Sequence, residues 1–176
     1  MGGHGKPVNL PEFGLFTDAS WASAVEKQYS APEMAMLVYG TPVSWRSKRQ
    51  AVRADSTCMA EYIAAADGIT WASSWGHLEF HIWKFKDRDQ ALGGLPPEAI
   101  HWMDSTSALN VALADEKRPK TRWMAIRWWK VNERATKFDT FKFCVSTKQK
   151  ADCLTKTPTT TGIRAILGKW GMDPLF

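Results

Sequence analysis

Four acidic residues stand where they could do chemistry together. "FGLFTDASWAS", residues 13–23, is an apolar run that breaks into Thr17 and then Asp18. "AIHWMD" repeats the theme and ends on Asp104. Glu61 stands in "STCMAEYIAAADGITW", and Asp152 in "KADCLTK". A single acid ending a strand is ordinarily a turn or cap residue. Three or four carboxylates converging at one sheet edge repel one another and are tolerated only with cations among them. Oxygen ligands favour hard ions, Mg²⁺ or Mn²⁺, which keep water and substrate phosphate in their shells. Two such ions can activate a water and stabilise the leaving oxygen of a phosphodiester. Asp18, Glu61, Asp104 and Asp152 are therefore the candidate metal ligands and catalytic residues.

The surrounding elements must bring them together. Residues 13–17 read as a first strand and 22–33, with Pro32, as a loop. Residues 34–39 and 43–46 read as two strands joined through Gly40-Thr41-Pro42, a hairpin signal. From Ser56 to Phe85 the period becomes helical, through Glu61, Gly68, Trp71, Trp75, Leu78, Ile82 and Phe85. Asp55 or Ser56 suits the cap, and Gly76 could interrupt the helix. Glu61 shares a face with Ala64, Ala65, Gly68 and Ala72, small residues that allow a helix to lie close to a sheet and carry Glu61 to it. "DRDQALGGLPPE" is loop, and "AIHWMD" is strand. Ser105 or Thr106 can cap "SALNVALA"; Pro119 suits the first turn of a helix running to about residue 135. "FDTFKFCV" is strand, and a short helix follows at 163–170. This order predicts an α/β fold: a mixed sheet with helices on both faces and its sites at strand ends.

At 176 residues and 44% hydrophobic content the chain suits one folded domain. A net charge of +5 favours an acidic partner, nucleic acid first among them. Cys58, Cys144 and Cys153 show no metal-site pairing and are odd in number, which reads as reduced thiols in an intracellular protein. No apolar run reaches membrane-spanning length. The opening "MGGHGKPVNLP" lacks the apolar core of a signal peptide, so residues 1–12 read as a flexible leader.

"FTDASWAS", "PVSWRSKRQAVRADSTCMAEYIAAADGITW", "DSTSAL" and "KQKADCLTK" follow one another across most of residues 13–156. In those motifs and that order the chain resembles the ribonuclease H domain of copia-type retrotransposon polyproteins. The resemblance implies a ribonuclease H-like mixed five-stranded sheet over residues 13–156, followed by a C-terminal tail with a short helix over 157–176. It also implies two Mg²⁺ or Mn²⁺ ions held by Asp18, Glu61, Asp104 and Asp152. The implied reaction is hydrolysis of the RNA strand of an RNA–DNA hybrid, leaving a 5′-phosphate and a 3′-hydroxyl. A reverse transcriptase domain would precede such a domain in the parent polyprotein.

Basic residues mark a candidate surface for that hybrid. "SWRSKRQAVR" supplies Arg46, Lys48, Arg49 and Arg53. In the helix after Pro119, Met124, Trp128, Val131 and Ala135 form an apolar face. Lys120, Trp123, Arg127, Lys130, Arg134 and Lys137 form another stripe, suited to a phosphate backbone; a solvated surface is the competing reading. This helix departs from the family pattern, with Trp123 and Trp129 where histidines are common and Ala125 where an acid is common. His77 and His81 have metal-ligand spacing but no third ligand in view, so they read as surface or packing residues, and His101 reads as structural. Some ribonucleases H use a histidine near the last acid to aid proton transfer or product release; none follows Asp104 here, so that device is absent unless Lys148 or Lys150 substitutes. Two other functions stay in view: a catalytically silent nucleic-acid-binding or structural subunit, and an integrase-like transferase, which would need a late acid such as Glu133.

Overall fold

A computed structural model describes residues 13–21, 29–83, 99–114, 124–137, 139–152, 154, 168 and 170. Its five strands are β1 (Phe13–Ser20), β2 (Ala31–Val38), β3 (Thr41–Ser47), β4 (Ile100–Met103) and β5 (Thr140–Phe143). Its helices are α1 (Thr57–Trp83), α2 (Thr106–Ala112) and α3 (Ala125–Lys137), with a 3₁₀ turn at Ser146–Lys148. The strands lie in the order β3-β2-β1-β4-β5. β3, β2 and β1 pair antiparallel, whereas β1, β4 and β5 pair parallel, which makes the sheet mixed. β1 sits at the centre and is buried on both faces until Ser20, which is why its sequence shows a nearly continuous apolar run.

The hairpin turns one step earlier than Gly40-Thr41-Pro42 suggests. Val38 pairs with Thr41, so Tyr39 and Gly40 alone make the turn, with φ of 48° and 79°. Two positive φ values are what a two-residue hairpin needs to match the strand twist. The loop expected at 22–33 also ends sooner, because β2 starts at Ala31 and includes Pro32. The Pro32 carbonyl accepts from Lys48 N at 3.2 Å, so its missing N–H faces the β3 side, just past the ladder's end at Glu33 and Ser47.

Ser56 caps α1: its hydroxyl accepts from Met59 N at 3.2 Å and its carbonyl from Ala60 N at 3.0 Å. α1 runs unbroken past Gly76. Its small residues Ala60, Ala64, Ala65, Gly68 and Ala72 let it press against β1 and β2. Ile63, Ile69 and Tyr62 fill the layer between, with Leu15, Met36 and Trp128. Each buried aliphatic side chain of this kind contributes about 1.5–3 kcal/mol over leaving it exposed. α2 and α3 pack beside α1, and Ser105 caps α2 by accepting from Ala108 N at 3.2 Å.

A second apolar layer lies on the opposite face, formed by Phe16, Ala35, Leu37, Cys144, Ala151 and Trp170. Phe16 stacks on Trp102, with ring centroids 5.8 Å apart. Trp170 is buried, tilts against Trp45 and donates its indole N–H to the Lys150 carbonyl at 3.0 Å. The helix expected at 163–170 lies mostly outside the described residues, as do the side chains of Trp75, His77 and His81.

Candidate metal centre

β1 and β4 run parallel with Phe16 opposite Trp102, so Asp18 and Asp104, each two residues further on, come level at the carboxyl ends of their strands. β4 stops at Met103 while β1 continues. The Ala19 N–H donates to Asp18 Oδ1 at 2.9 Å and to Glu61 Oε1 at 3.2 Å. α1 delivers Glu61 there from the helix layer. Gln50 steadies that part of α1, its buried amide donating to the Ala60 carbonyl at 2.8 Å. Asp18, Glu61 and Asp104 each place a carboxylate oxygen within 4.8 Å of the others. Asp18 and Glu61 are buried and Asp104 is half-buried, so the cluster opens toward solvent on the Asp104 side.

The electrostatics would suit a cation. Burial, then the charge of Asp104, pushes the Asp18 carboxyl from 3.8 up to about 6, against the Ala19 N–H and a hydrogen bond with Glu61 that hold it down. Burial, then Asp18 and Asp104, pushes Glu61 from 4.5 up to about 10. No protein donor among the described residues reaches the buried Glu61 Oε2. A divalent cation would relieve both strains, supplying the missing partner and replacing the protons that the acids otherwise retain. The donor set, all carboxylate oxygen, fits Mg²⁺ or Mn²⁺.

Asp152 is half-buried in the turn after Ala151, and its charge also raises Asp18, which puts it beside the cluster. It is not one of the three residues whose oxygens meet within 4.8 Å. Two polar residues that the sequence reading missed stand here. Ser146 donates its hydroxyl to Asp104 Oδ2 at 3.0 Å. Gln149, fully buried, donates its amide to the Thr17 carbonyl at 2.9 Å. Both sit in the polar run "STKQK", where no periodicity distinguishes them from solvated neighbours.

No family model matches the chain. The N-terminal RNase H domain of Rv2228c from Mycobacterium tuberculosis, solved as a fusion with maltose-binding protein, superposes with a TM-score of 0.56 at 13% identity. That match covers 90% of this chain and 96% of that one. LC11-RNase H1 in complex with an RNA/DNA hybrid superposes with a TM-score of 0.52 at 14% identity, covering 80% of this chain and 91% of that one. The fold is ribonuclease H-like. A retrovirus-related Pol polyprotein from transposon TNT 1-94 of Nicotiana tabacum is 28% identical over 142 residues. That match spans 80% of this chain and 10% of the polyprotein.

On this ribonuclease H-like frame the basic residues divide. Exposed Arg46 and Lys48 line a groove along α1 with Asp67, Thr70, Trp71 and Ser74. Arg127 and Lys130 line a second groove on the other side of Asp67 and Thr70, and Lys130 donates to Thr70 Oγ1 at 2.8 Å. Arg49 and Arg53 both lie over the Tyr29 ring, 5.0 and 5.3 Å from its centroid. Trp129 is exposed and meets Trp128 edge-on. Lys120 and Trp123 lie outside the described residues.

Arg134 does not belong to the exposed stripe. It is buried, and its guanidinium grips Asp139 through Nε, at 2.6 Å, and Nη2. His101 Nε2 stands 2.9 Å from the same carboxylate. A step of seven residues falls about 20° short of two full helical turns, so Arg134 is rotated from Arg127. The buried Asp139 then supplies the charge that draws it inward. Glu133, the acid an integrase-like reading would need, is exposed and paired with Lys137 at 3.1 Å.

Proposed function

We propose that this chain is a two-metal ribonuclease H that hydrolyses the RNA strand of RNA–DNA hybrids, derived from a copia-type retrotransposon polyprotein. The observation that carries the reading is the convergence of Asp18, Glu61 and Asp104 within 4.8 Å at the carboxyl ends of β1 and β4. Asp152 completes the set as the fourth ligand. When bound, two Mg²⁺ or Mn²⁺ ions would activate the attacking water and stabilise the leaving 3′-oxygen. The chain's own part is to hold those ions against mutual repulsion. Asp18 and Asp104, on adjacent strands, form the floor, Glu61 closes it from the helix layer, and Ser146 orients the Asp104 carboxylate.

Arg46, Lys48, Arg49, Arg127 and Lys130 would hold the phosphate backbones on either side of α1, with Lys120 continuing the stripe. The RNA/DNA hybrid bound by LC11-RNase H1 supports that choice of ligand by analogy of fold. The polyprotein match supports an origin in a longer Pol chain, and we place a reverse transcriptase domain beside this one there; the odd, unpaired pattern of the cysteines in the sequence favours an intracellular setting. No helix among the described residues is long and apolar enough to cross a membrane.

Cleavage of a labelled RNA–DNA hybrid in Mg²⁺ or Mn²⁺, comparing the parent with Asp104→Asn, tests the reading. Metal-dependent cutting of the RNA strand that disappears in the variant is the expected result. Salt-sensitive binding without cutting would assign the fold to a silent nucleic-acid-binding subunit instead.

A further inference from the structure

We infer that Gln149 is a positioning residue of the acidic centre, one that sets Asp152 in place against β1. The inference rests on the ribonuclease reading of Asp152 as a metal ligand. Gln149 has no exposed surface. Its amide nitrogen donates to the Thr17 carbonyl at 2.9 Å, and that carbonyl belongs to the peptide unit leading into Asp18. Its Oε1 accepts from Ala151 N at 3.4 Å, one residue before Asp152. One buried side chain therefore ties the backbone of the strand bearing Asp18 to the turn bearing Asp152.

The amide suits this place for two reasons. A buried polar group costs free energy unless its hydrogen bonds are made, and the Gln149 amide makes one at each end. It also adds no charge. A carboxylate here would add to a centre already crowded with acids, and a cation would compete with the metal as their counter-ion. The two ends of the same segment are fixed independently, by Ser146 on Asp104 and by the Trp170 indole on the Lys150 carbonyl. Between them, Gln149 is hydrogen-bonded to the β1 backbone, and the Lys150 ammonium lies over the Phe16 ring of the same strand.

The test is Mn²⁺ affinity, measured by calorimetric titration of the full chain without nucleic acid, for the parent, Gln149→Met, Asp152→Asn and the double variant. Methionine keeps the volume and removes both hydrogen bonds. The expected result is Mn²⁺ binding weakened roughly 10- to 100-fold by Gln149→Met, the range typical of residues that orient metal ligands. Adding that change to Asp152→Asn should then cost little more. Gln149→Asn, which keeps the amide but shortens its reach, should show the same loss and serves if the methionine variant does not fold. Unchanged Mn²⁺ affinity in a Gln149 variant, while Asp152→Asn weakens it, overturns the positioning role alone. Unchanged affinity in Asp152→Asn overturns the ligand reading and the inference together. Strict additivity in the double variant also overturns it, since a lowered Tm with independent effects marks a merely structural residue.

Discussion

Gly68 of α1 lies directly over Thr17 of β1: a Cβ at residue 68 would stand 2.5 Å from Thr17 Cγ2. Thr17 is buried and, being β-branched, stiff at χ1, so this close approach favours a glycine. Gly68→Ala should therefore destabilise the protein by about 1–3 kcal/mol through overpacking, despite the better helix propensity of alanine. Urea denaturation checks this; an unchanged or raised midpoint would show that α1 can move away freely. Glu61 lies two turns earlier on the same helix, so metal affinity should fall with stability.

Removing one acid should separate activity from stability. Asp104→Asn should reduce hybrid cleavage by at least the roughly 100-fold that even partners of metal ligands can cost. The same change removes a charge that raises both Asp18 and Glu61, so the metal-free variant should melt higher than the metal-free parent. Thermal melts with and without Mn²⁺ test it, and a lower apo Tm in the variant would count against mutual repulsion in the cluster.

The protons held by the cluster set the direction of its pH dependence. In the metal-free fold Asp18 titrates near 6 and Glu61 near 10, against ordinary values of 3.8 and 4.5. The native state thus binds more protons than the unfolded chain between those limits, and stability falls as pH rises through them. The cluster's contribution is fully present below about pH 4 and is lost first through Asp18 near 6, then through Glu61 near 10. Metal binding must expel these protons, so Mn²⁺ affinity should rise with pH across the same window. Comparing metal-free unfolding of the parent and Asp18→Asn at several pH values isolates the Asp18 share; parallel profiles would rule it out.

The two kinds of basic residue on α3 should respond in opposite ways. Arg127→Ala should weaken hybrid binding and lower the salt slope by about one phosphate's share, with stability nearly unchanged. Arg134→Ala should leave the salt slope alone but cost about 3–5 kcal/mol, since it takes the guanidinium from the buried Asp139 carboxylate and leaves it His101 alone. Fluorescence anisotropy across a salt series, beside urea melts of each variant, distinguishes them. A flat salt slope for Arg127→Ala would return that residue to a solvated surface.

A smaller effect is expected at Ser146. Ser146→Ala removes a hydroxyl donor from the half-buried Asp104 and, because Ser146 is itself exposed, should weaken Mn²⁺ binding by only about 3-fold, below the roughly 10- to 100-fold typical of ligand-orienting contacts. Affinity equal to the parent would show that Asp104 is held by its strand alone.

Local pattern alone determined much of this protein. The apolar runs that become β1 and β4 each lead into an acid, although β1 continues past Asp18 to Ser20, and α1 is capped at Ser56 and carries Glu61 on a face of small residues. Those features were legible because side-chain periodicity and capping act over a few residues. The turn at Tyr39-Gly40 and the entry of Pro32 into β2 were not, since strand register is settled by the partner strands. Nor was the fate of Arg134. Its stripe on α3 looked uniformly basic until Asp139 and His101, from outside that helix, met it in the interior. Gln149 shows the same limit most clearly, because its partner Thr17 is 132 residues away in the chain. A polar residue in a polar run carries no local mark of burial. Only the packing of the last segment across β1 decides that its hydrogen bonds are made inside the protein rather than to water.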